Sequence, residues 1–473
     1  MRLSSKSHDP LTINRRHFFG RGGSAVGAAA LASLLGESAS ANQPDMAQIR
    51  RIAPRAKRVI SLFMSGGPSH VDMFDPKPLL TARNGEPMPK SIVKDHQFAM
   101  IKDANPKIKG SPWSFRKYGK SGIDVSELLP HTAQVVDELC VIRSAFTETF
   151  NHGPAVSFMT TGDVRYGRPT MGAWLSYGLG SENENLPAFV VLQSGKKMQP
   201  LLNSYWANGF LPAQHEGMLL RSRGEPVLFL TNPMGVNAGR RRQQLDLLAS
   251  LNRQQHEHVG DPEILTRIAN YELAFRMQTS VPEVMDISRE SAATHQLYGS
   301  KPGGASFANN CLLARRLAEQ GVRFIQLYDM GWDQHGSLEA HLPRQTKGID
   351  QGMAALLIDL RRRGMLDETL VMWSGEFGRT PMAQGGNKGY GRDHHPHGFT
   401  MCLAGGGIKP GMIYGSTDEF GYHAQDNRVN LYDLNATILH CLGIDHKALT
   451  HRFQGLDVRL TSVHGELISD ILV

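Results

Sequence analysis

Two stretches of this chain repeat one plan, and that repetition limits its possible folds. Residues 311–319 read as a helix, Gly321 closes it, and Val322 to Leu327 form a short apolar run. Residues 353–362 read as a second helix with Met353, Leu356, Leu357 and Leu360 on one face, Gly364 stops it, and Thr369 to Trp373 extend. Glycine just past a helix supplies the left-handed cap, and apolar runs between turn signals read as strands buried on both faces. Such alternation builds a mostly parallel sheet covered by helices on both sides. The expected fold is therefore α/β, a three-layer α/β/α sandwich around a mostly parallel central sheet. Val59 to Met64 reads as another buried strand, ending at Gly66-Gly67-Pro68, and Leu186 to Leu192 and Pro226 to Leu230 read similarly. Ile264, Ile268, Tyr271 and Phe275 share one helical face. No strong boundary divides residues 57–473, so they read as one domain.

The N-terminus reads as an address. Arg15-Arg16 precede Phe18-Phe19, an uncharged Gly/Ala-rich stretch runs from Gly22 to Gly36, and Ala39-Ser40-Ala41 offers a small-residue cleavage site. The apolar stretch is too short for a stable membrane span, which needs about 20 strongly apolar residues. Residues 1–41 resemble a twin-arginine signal read by the translocase that exports folded proteins. The expected location is periplasmic or extracellular. Residues 42–56, with Arg50, Arg51 and Arg55, then read as a flexible basic lead-in.

Composition narrows the function. A net charge of +7 over 473 residues is mild and shows no dense basic stripe, which argues against nucleic acid. The 40% hydrophobic content supports a large core. Four cysteines are too sparse for a disulfide scaffold or a zinc ribbon.

In a parallel α/β sheet, functional groups gather at the carboxyl ends of the strands. Asp329 and Gly331-Trp332-Asp333-Gln334-His335-Gly336 follow one predicted strand, and Ser374-Gly375-Glu376-Phe377-Gly378-Arg379-Thr380 follows another. Gly391-Arg392-Asp393-His394-His395-Pro396-His397 then packs an acid and three imidazoles into one short segment. Imidazoles with carboxylates suit a zinc-like divalent ion, so Asp333, His335, Glu376 and His394 are the candidate ligands, with His395 and His397 in reserve. Each fragment alone also fits a loop hydrogen bond or a structural cap. Near the start, the glycines after Val59–Met64 would let backbone amides approach an anion. Asn151-His152-Gly153-Pro154 leads into a predicted helix; His152 reads either as a base or nucleophile or as part of a cap.

Together, Phe63 to Ser69, Asn151 to Pro154, Gly331 to Gly336, Gly375 to Thr380, Arg392 to His394 and Ala404 to Ile408 resemble an uncharacterised bacterial family, domain of unknown function 1501. That family is placed among alkaline-phosphatase-like and sulfatase-like folds, and the resemblance covers residues 57 to the C-terminus. It implies an alkaline-phosphatase-like α/β/α core, divalent metal at the strand ends, and attack on phosphate or sulfate esters. Asp333 and His335 resemble the superfamily's Asp-and-His motif, His394 its late metal-binding histidine, and Glu376 the acid of its Ser-Asp-His/Asn-Gly motif. Ser65-Gly66 stands where a first metal-binding Asp and Gly would be, and Phe377 where a His or Asn would be. His152 takes the nucleophile's place, which excludes formylglycine chemistry. One metal position is thus kept and a second degraded, unless Asp72 or Asp75 folds back to replace the missing carboxylate.

The expectation is an exported hydrolase of phosphate or sulfate esters that uses a divalent ion (Zn, Mn, Mg or Ca). His152 would act at the ester, and Arg379 and Arg392 would clamp its anion. Its partners would be a small-molecule or glycan ester and the translocase. The alternative is a non-catalytic protein on the same fold that binds anionic glycans or a partner protein.

Overall fold

The computed structural model describes residues 49–94, 96–195, 203–228, 230–385 and 389–473. The signal expected over 1–41 lies outside them. Residues 49–56, expected as the end of a flexible lead-in, are docked instead. Ile49 and Ala56 are buried, the amides of Arg55 and Ala56 donate to the Cys441 carbonyl at 2.8 Å, and the Asp445 amide donates to the Ile49 carbonyl at 2.9 Å.

Among the described residues the sheet has nine strands: β1 (Arg58–Ser65), β2 (Cys140–Phe146), β3 (Phe189–Gly195), β4 (Met218–Leu219), β5 (Phe324–Met330), β6 (Thr369–Ser374), β7 (Phe399–Ala404), β8 (Met412–Tyr414) and β9 (Val429–Asn430). Their order is β8-β2-β7-β6-β1-β5-β3-β4, with β9 also pairing with β2. All pairs are parallel except those of β7, which runs antiparallel to both β2 and β6. The sheet is therefore mixed and mostly parallel.

Side chains alternate across a strand, and β1 sorts its residues accordingly. Ile60, Leu62 and Met64 join the core under α5 (Phe307–Glu319) and α6 (Leu338–Arg362). Val59 and Phe63 join a second core under α1 (His152–Thr161), α2 (Met171–Leu179) and α7 (Leu431–Cys441). Two cores on two faces make three layers. The helices α3 (Ala238–Val259) and α4 (Glu263–Met285) pack against each other, and α4 carries the predicted stripe from Ile264 to Phe275. Among the described residues, no helix is long and apolar enough to cross a membrane.

Some boundaries differ from expectation. The strand expected from Leu186 begins at Phe189, and the one expected from Val322 begins at Phe324. The helix expected from Met353 begins fifteen residues earlier at Leu338 and carries Pro343 in its second turn. No described residue of 226–230 lies in a strand. There the Arg221 amide donates to the Pro226 carbonyl at 2.9 Å and the Gln278 side chain to the Leu230 carbonyl at 2.8 Å, which makes a surface turn over α4.

Candidate metal centre

β1, β5 and β6 lie side by side, so the loops leaving their carboxyl ends emerge together. Gly66 follows β1 with φ +122°, and a side chain on it would strike the backbone of Trp332 and Asp333. Only glycine lets the loop after β1 slide under the loop after β5. The Gly66 amide does not face open space for an anion. It donates to both carboxylate oxygens of Glu376, at 2.9 and 3.1 Å. Glu376 follows β6 and is fully buried. His394 sits on a two-residue strand, His394–His395, paired antiparallel with Gly378–Arg379. His152 opens α1.

These elements bring His152, Asp333, His335 and His394 together, with one donor atom from each inside a span of 4.8 Å. Asp333 Oδ1 lies 2.8 Å from His335 Nε2 and 3.2 Å from the Nε2 atoms of both His152 and His394. The outer nitrogens are all committed. His152 Nδ1–H donates to Glu376 at 2.6 Å, His335 Nδ1–H to Gln384 Oε1 at 2.6 Å, and His394 Nδ1–H to the Phe150 carbonyl at 2.7 Å. A carbonyl and a carboxylate can only accept, so each ring keeps a proton on Nδ1 and, when neutral, turns an Nε2 lone pair inward. Outer acceptors of this kind orient metal-binding histidines.

The arrangement fits a divalent ion. His335 Nε2 and His394 Nε2 are 2.9 Å apart with their lone pairs facing, a contact that a cation between them relieves. Among the described residues, His152 Nε2 is buried with no hydrogen-bond partner. Three imidazole nitrogens and one carboxylate oxygen form a donor set suited to zinc and its neighbours.

The electrostatics set protons against a cation for the same nitrogens. Burial works against charge on Asp333, but its three imidazole neighbours and the Arg379 guanidinium outweigh it and hold the carboxyl well below its usual range. Burial also opposes charge on His152, yet Asp333 and Glu376 overcome it and raise that pKa, so a proton competes with a cation for its Nε2 atom. For His394, burial with Arg379 and His152 outweighs Asp333 and lowers the pKa, which favours the neutral ring.

Several expected site residues stand elsewhere or do something else. Glu376 is outside the four-donor cluster and reaches it through His152. Arg379 is buried; it donates to the carbonyls of Gly66, Gly67, Trp332 and Arg392 and to Asp333 Oδ1 at 2.7 Å, so it ties the loops together and steadies Asp333. Arg392 is not an anion clamp. Fully buried, it forms a bidentate pair with Asp72 at 2.7 and 3.0 Å and donates to the carbonyls of Lys109 and Thr380. That pair, with the Ser69 hydroxyl 2.6 Å away, also removes Asp72 as a substitute ligand. Asp75 is held by Lys77 at 3.1 Å and by Thr417. His395 turns its Nε2 to the Tyr422 carbonyl, and His397 stacks on His96 at 4.0 Å. Asp329 is buried beneath the loop, where Ser194, Trp332 and Gln345 donate to it at 2.8–3.0 Å. Sequence reasoning placed His152 at the chemistry but not as a donor, and it missed Gln384 and the Phe150 carbonyl, which carry no local signal.

Fold and donors together define an α/β protein with a candidate metal centre at the carboxyl ends of a mostly parallel sheet. The chain belongs to the family described as protein of unknown function (DUF1501), which it matches over residues 56–472. No curated protein matches it in sequence. Similar solved structures include a protein in the alkaline phosphatase superfamily from Vibrio parahaemolyticus, with 10% identity, 86% of this chain and 71% of that one covered, and a TM-score of 0.38. The PsFucS1 sulfatase from Pseudoalteromonas sp. gives 11% identity, 89% and 71% coverage, and a TM-score of 0.31. Alkaline phosphatase from the Antarctic bacterium TAB5 gives 10%, 78% and 96%, and 0.32.

Proposed function

We propose that the protein is an exported, metal-dependent hydrolase of phosphate or sulfate esters. The observation that carries this reading is the convergence of His152, Asp333, His335 and His394, each imidazole backed by an outer acceptor. A divalent ion supplies positive charge that stabilises the oxygens of a transferring phosphoryl or sulfuryl group. The chain's own residues prepare the place for it. Glu376 fixes the His152 tautomer, Gln384 and the Phe150 carbonyl fix those of His335 and His394, and Arg379 holds Asp333 ionised. In this reading His152 holds the ion and is not the nucleophile. The small-molecule or glycan ester would approach from the open side of the strand ends.

Export would follow recognition of Arg15-Arg16 and cleavage after Ala41. Changing both arginines to lysine should leave the precursor in the cytoplasm, and mature protein still appearing outside it would overturn that route.

The activity test is a panel of phosphomonoesters, phosphodiesters and sulfate esters with Zn, Mn, Mg and Ca added singly. Turnover that a chelator and His335→Ala both abolish supports the hydrolase. Ester binding without turnover under every metal would replace it with the binding-protein reading.

A further inference from the structure

Among the described residues, α4 packs on one side of α3 and leaves the other side open. Leu245 and Ala249 are buried on the inner side, where Arg242 donates to Glu272 of α4 at 2.5 and 2.8 Å. The outer side is not polar, as a helix facing only water would be. Leu247 is 63% exposed, Leu248 41% and Leu251 54%. At 3.6 residues per turn, Arg240, Gln244, Leu247, Leu251, Gln254 and His258 run in one row down that side, and all six are exposed. The gaps between them are 4, 3, 4, 3 and 4 residues, the alternation that keeps a row of side chains facing a second helix. The row also reads alike from both ends: leucine at the middle, then glutamine, then a nitrogen base at each tip.

A surface of that kind fits its own copy run in the opposite direction. About a two-fold axis level with Ala249, Leu247 meets Leu251 of the second copy and Gln244 meets Gln254. Leu248, at the edge of the row, meets Leu248. The tips agree in charge, because Arg240 comes beside Glu257 and His258 of the second copy. Two copies running the same way would instead set Arg240 and Arg241 of one against those of the other, where like charges repel.

We propose that α3 is an interface between two copies of this chain, paired antiparallel through Leu247, Leu248 and Leu251. The proposal stands apart from the ester reading and neither needs nor supports it. A helix of 22 residues is about 33 Å long, and one seam of that length falls short of the ~800 Å² per partner of a standard interface. The pair should therefore come apart on dilution through the roughly micromolar range.

The test is sedimentation equilibrium of the full chain, which reads mass against concentration. Wild type should pass from one chain to two between about 1 and 100 μM. Leu247→Glu and Leu251→Glu, both at exposed positions, should keep the circular dichroism of wild type and weaken pairing at least about tenfold. Leu265→Glu, at an exposed position on α4, should leave pairing unchanged. Arg240→Glu and Glu257→Arg should each weaken it, and the two together should restore it. Direction is read by cross-linking, since the four native cysteines are buried. Under mild oxidation, Gln244→Cys chains should join Gln254→Cys chains and not one another. A single-chain mass at every concentration up to about 1 mM would leave these leucines to another partner and overturn the proposal. A dimer that ignores both glutamates would overturn it as well, and Gln244→Cys chains that join one another would overturn the antiparallel pairing.

Discussion

His394 and His395 are neighbours on one short strand and serve opposite purposes. The strand sends them to opposite faces, as alternation requires. On one face His394 meets His152, His335 and a central carboxylate, and each ring's outer nitrogen is claimed by an acceptor. On the other, His395 packs with His397 and Tyr422, His397 with His96 and His423, and the ring centroids lie 4.0–5.9 Å apart. There His395 and His423 give their Nε2 atoms to the backbone carbonyls of Tyr422 and Ile92, and the donor atoms do not converge. Burial, with Arg428 and the neighbouring histidines, pushes the His397 pKa down to about 4. The lesson is that a count of histidines does not locate a metal. A carboxylate at the centre and acceptors at the rim mark the candidate site.

The comparison breaks most visibly through activity. His335→Ala or His394→Ala should lower ester turnover at least about 100-fold by removing a donor, while His397→Gln should stay within about twofold. Equal losses in the two groups, measured on folded protein, would erase the distinction. Next comes Arg392, which lies just before Asp393 and His394 in sequence but is assigned to structure. Breaking its buried pair with Asp72 by Arg392→Met should cost about 3–5 kcal/mol of stability in denaturant titration. A near-neutral result would return Arg392 to the list of anion-binding groups. Glu376→Gln keeps the shape beside His152 but removes the charge, and should weaken metal affinity about 10–100-fold without abolishing it. Unchanged affinity in a metal titration would show that the rim acceptors do not matter.

The smallest effect concerns the ring-packed face and pH. His397 is neutral when folded, with a pKa of about 4 against an ordinary value of 6.5. The unfolded chain therefore takes up the proton first as the solution is acidified. The stability from this group is whole above about pH 6.5 and is lost as pH falls toward about 4. Melting temperature followed across that window should fall, and His397→Leu should flatten part of the slope. A slope identical to wild type would mean that the ring is not held neutral.

Much of this was legible in the sequence, for physical reasons. The strands near Val59, Phe324 and Thr369 are buried on both faces, so they read as unbroken apolar runs. Strand direction leaves no such trace, and the antiparallel β7 could not be read from Phe399 to Ala404. Pro226 to Leu230 has the apolar run without the sheet. Asp333, His335 and His394 were legible because chemistry follows strand ends. The part played by His152 was not, since it depends on a helix start folding over from the far side of the sheet. The fate of Arg392 was hidden for the same reason: its partner, Asp72, is 320 positions away.

The central claim is that one strand residue binds metal and its neighbour does not, and metal content tests it most directly. Wild type, Asp333→Asn, His394→Ala and His397→Gln would be purified, reconstituted with zinc, freed of excess ion and analysed by elemental mass spectrometry, with folding checked by circular dichroism. The account predicts about one equivalent in wild type and His397→Gln, and background levels in Asp333→Asn and His394→Ala. Metal retained in full by the Asp333 and His394 variants, or absent from reconstituted wild type, would contradict it.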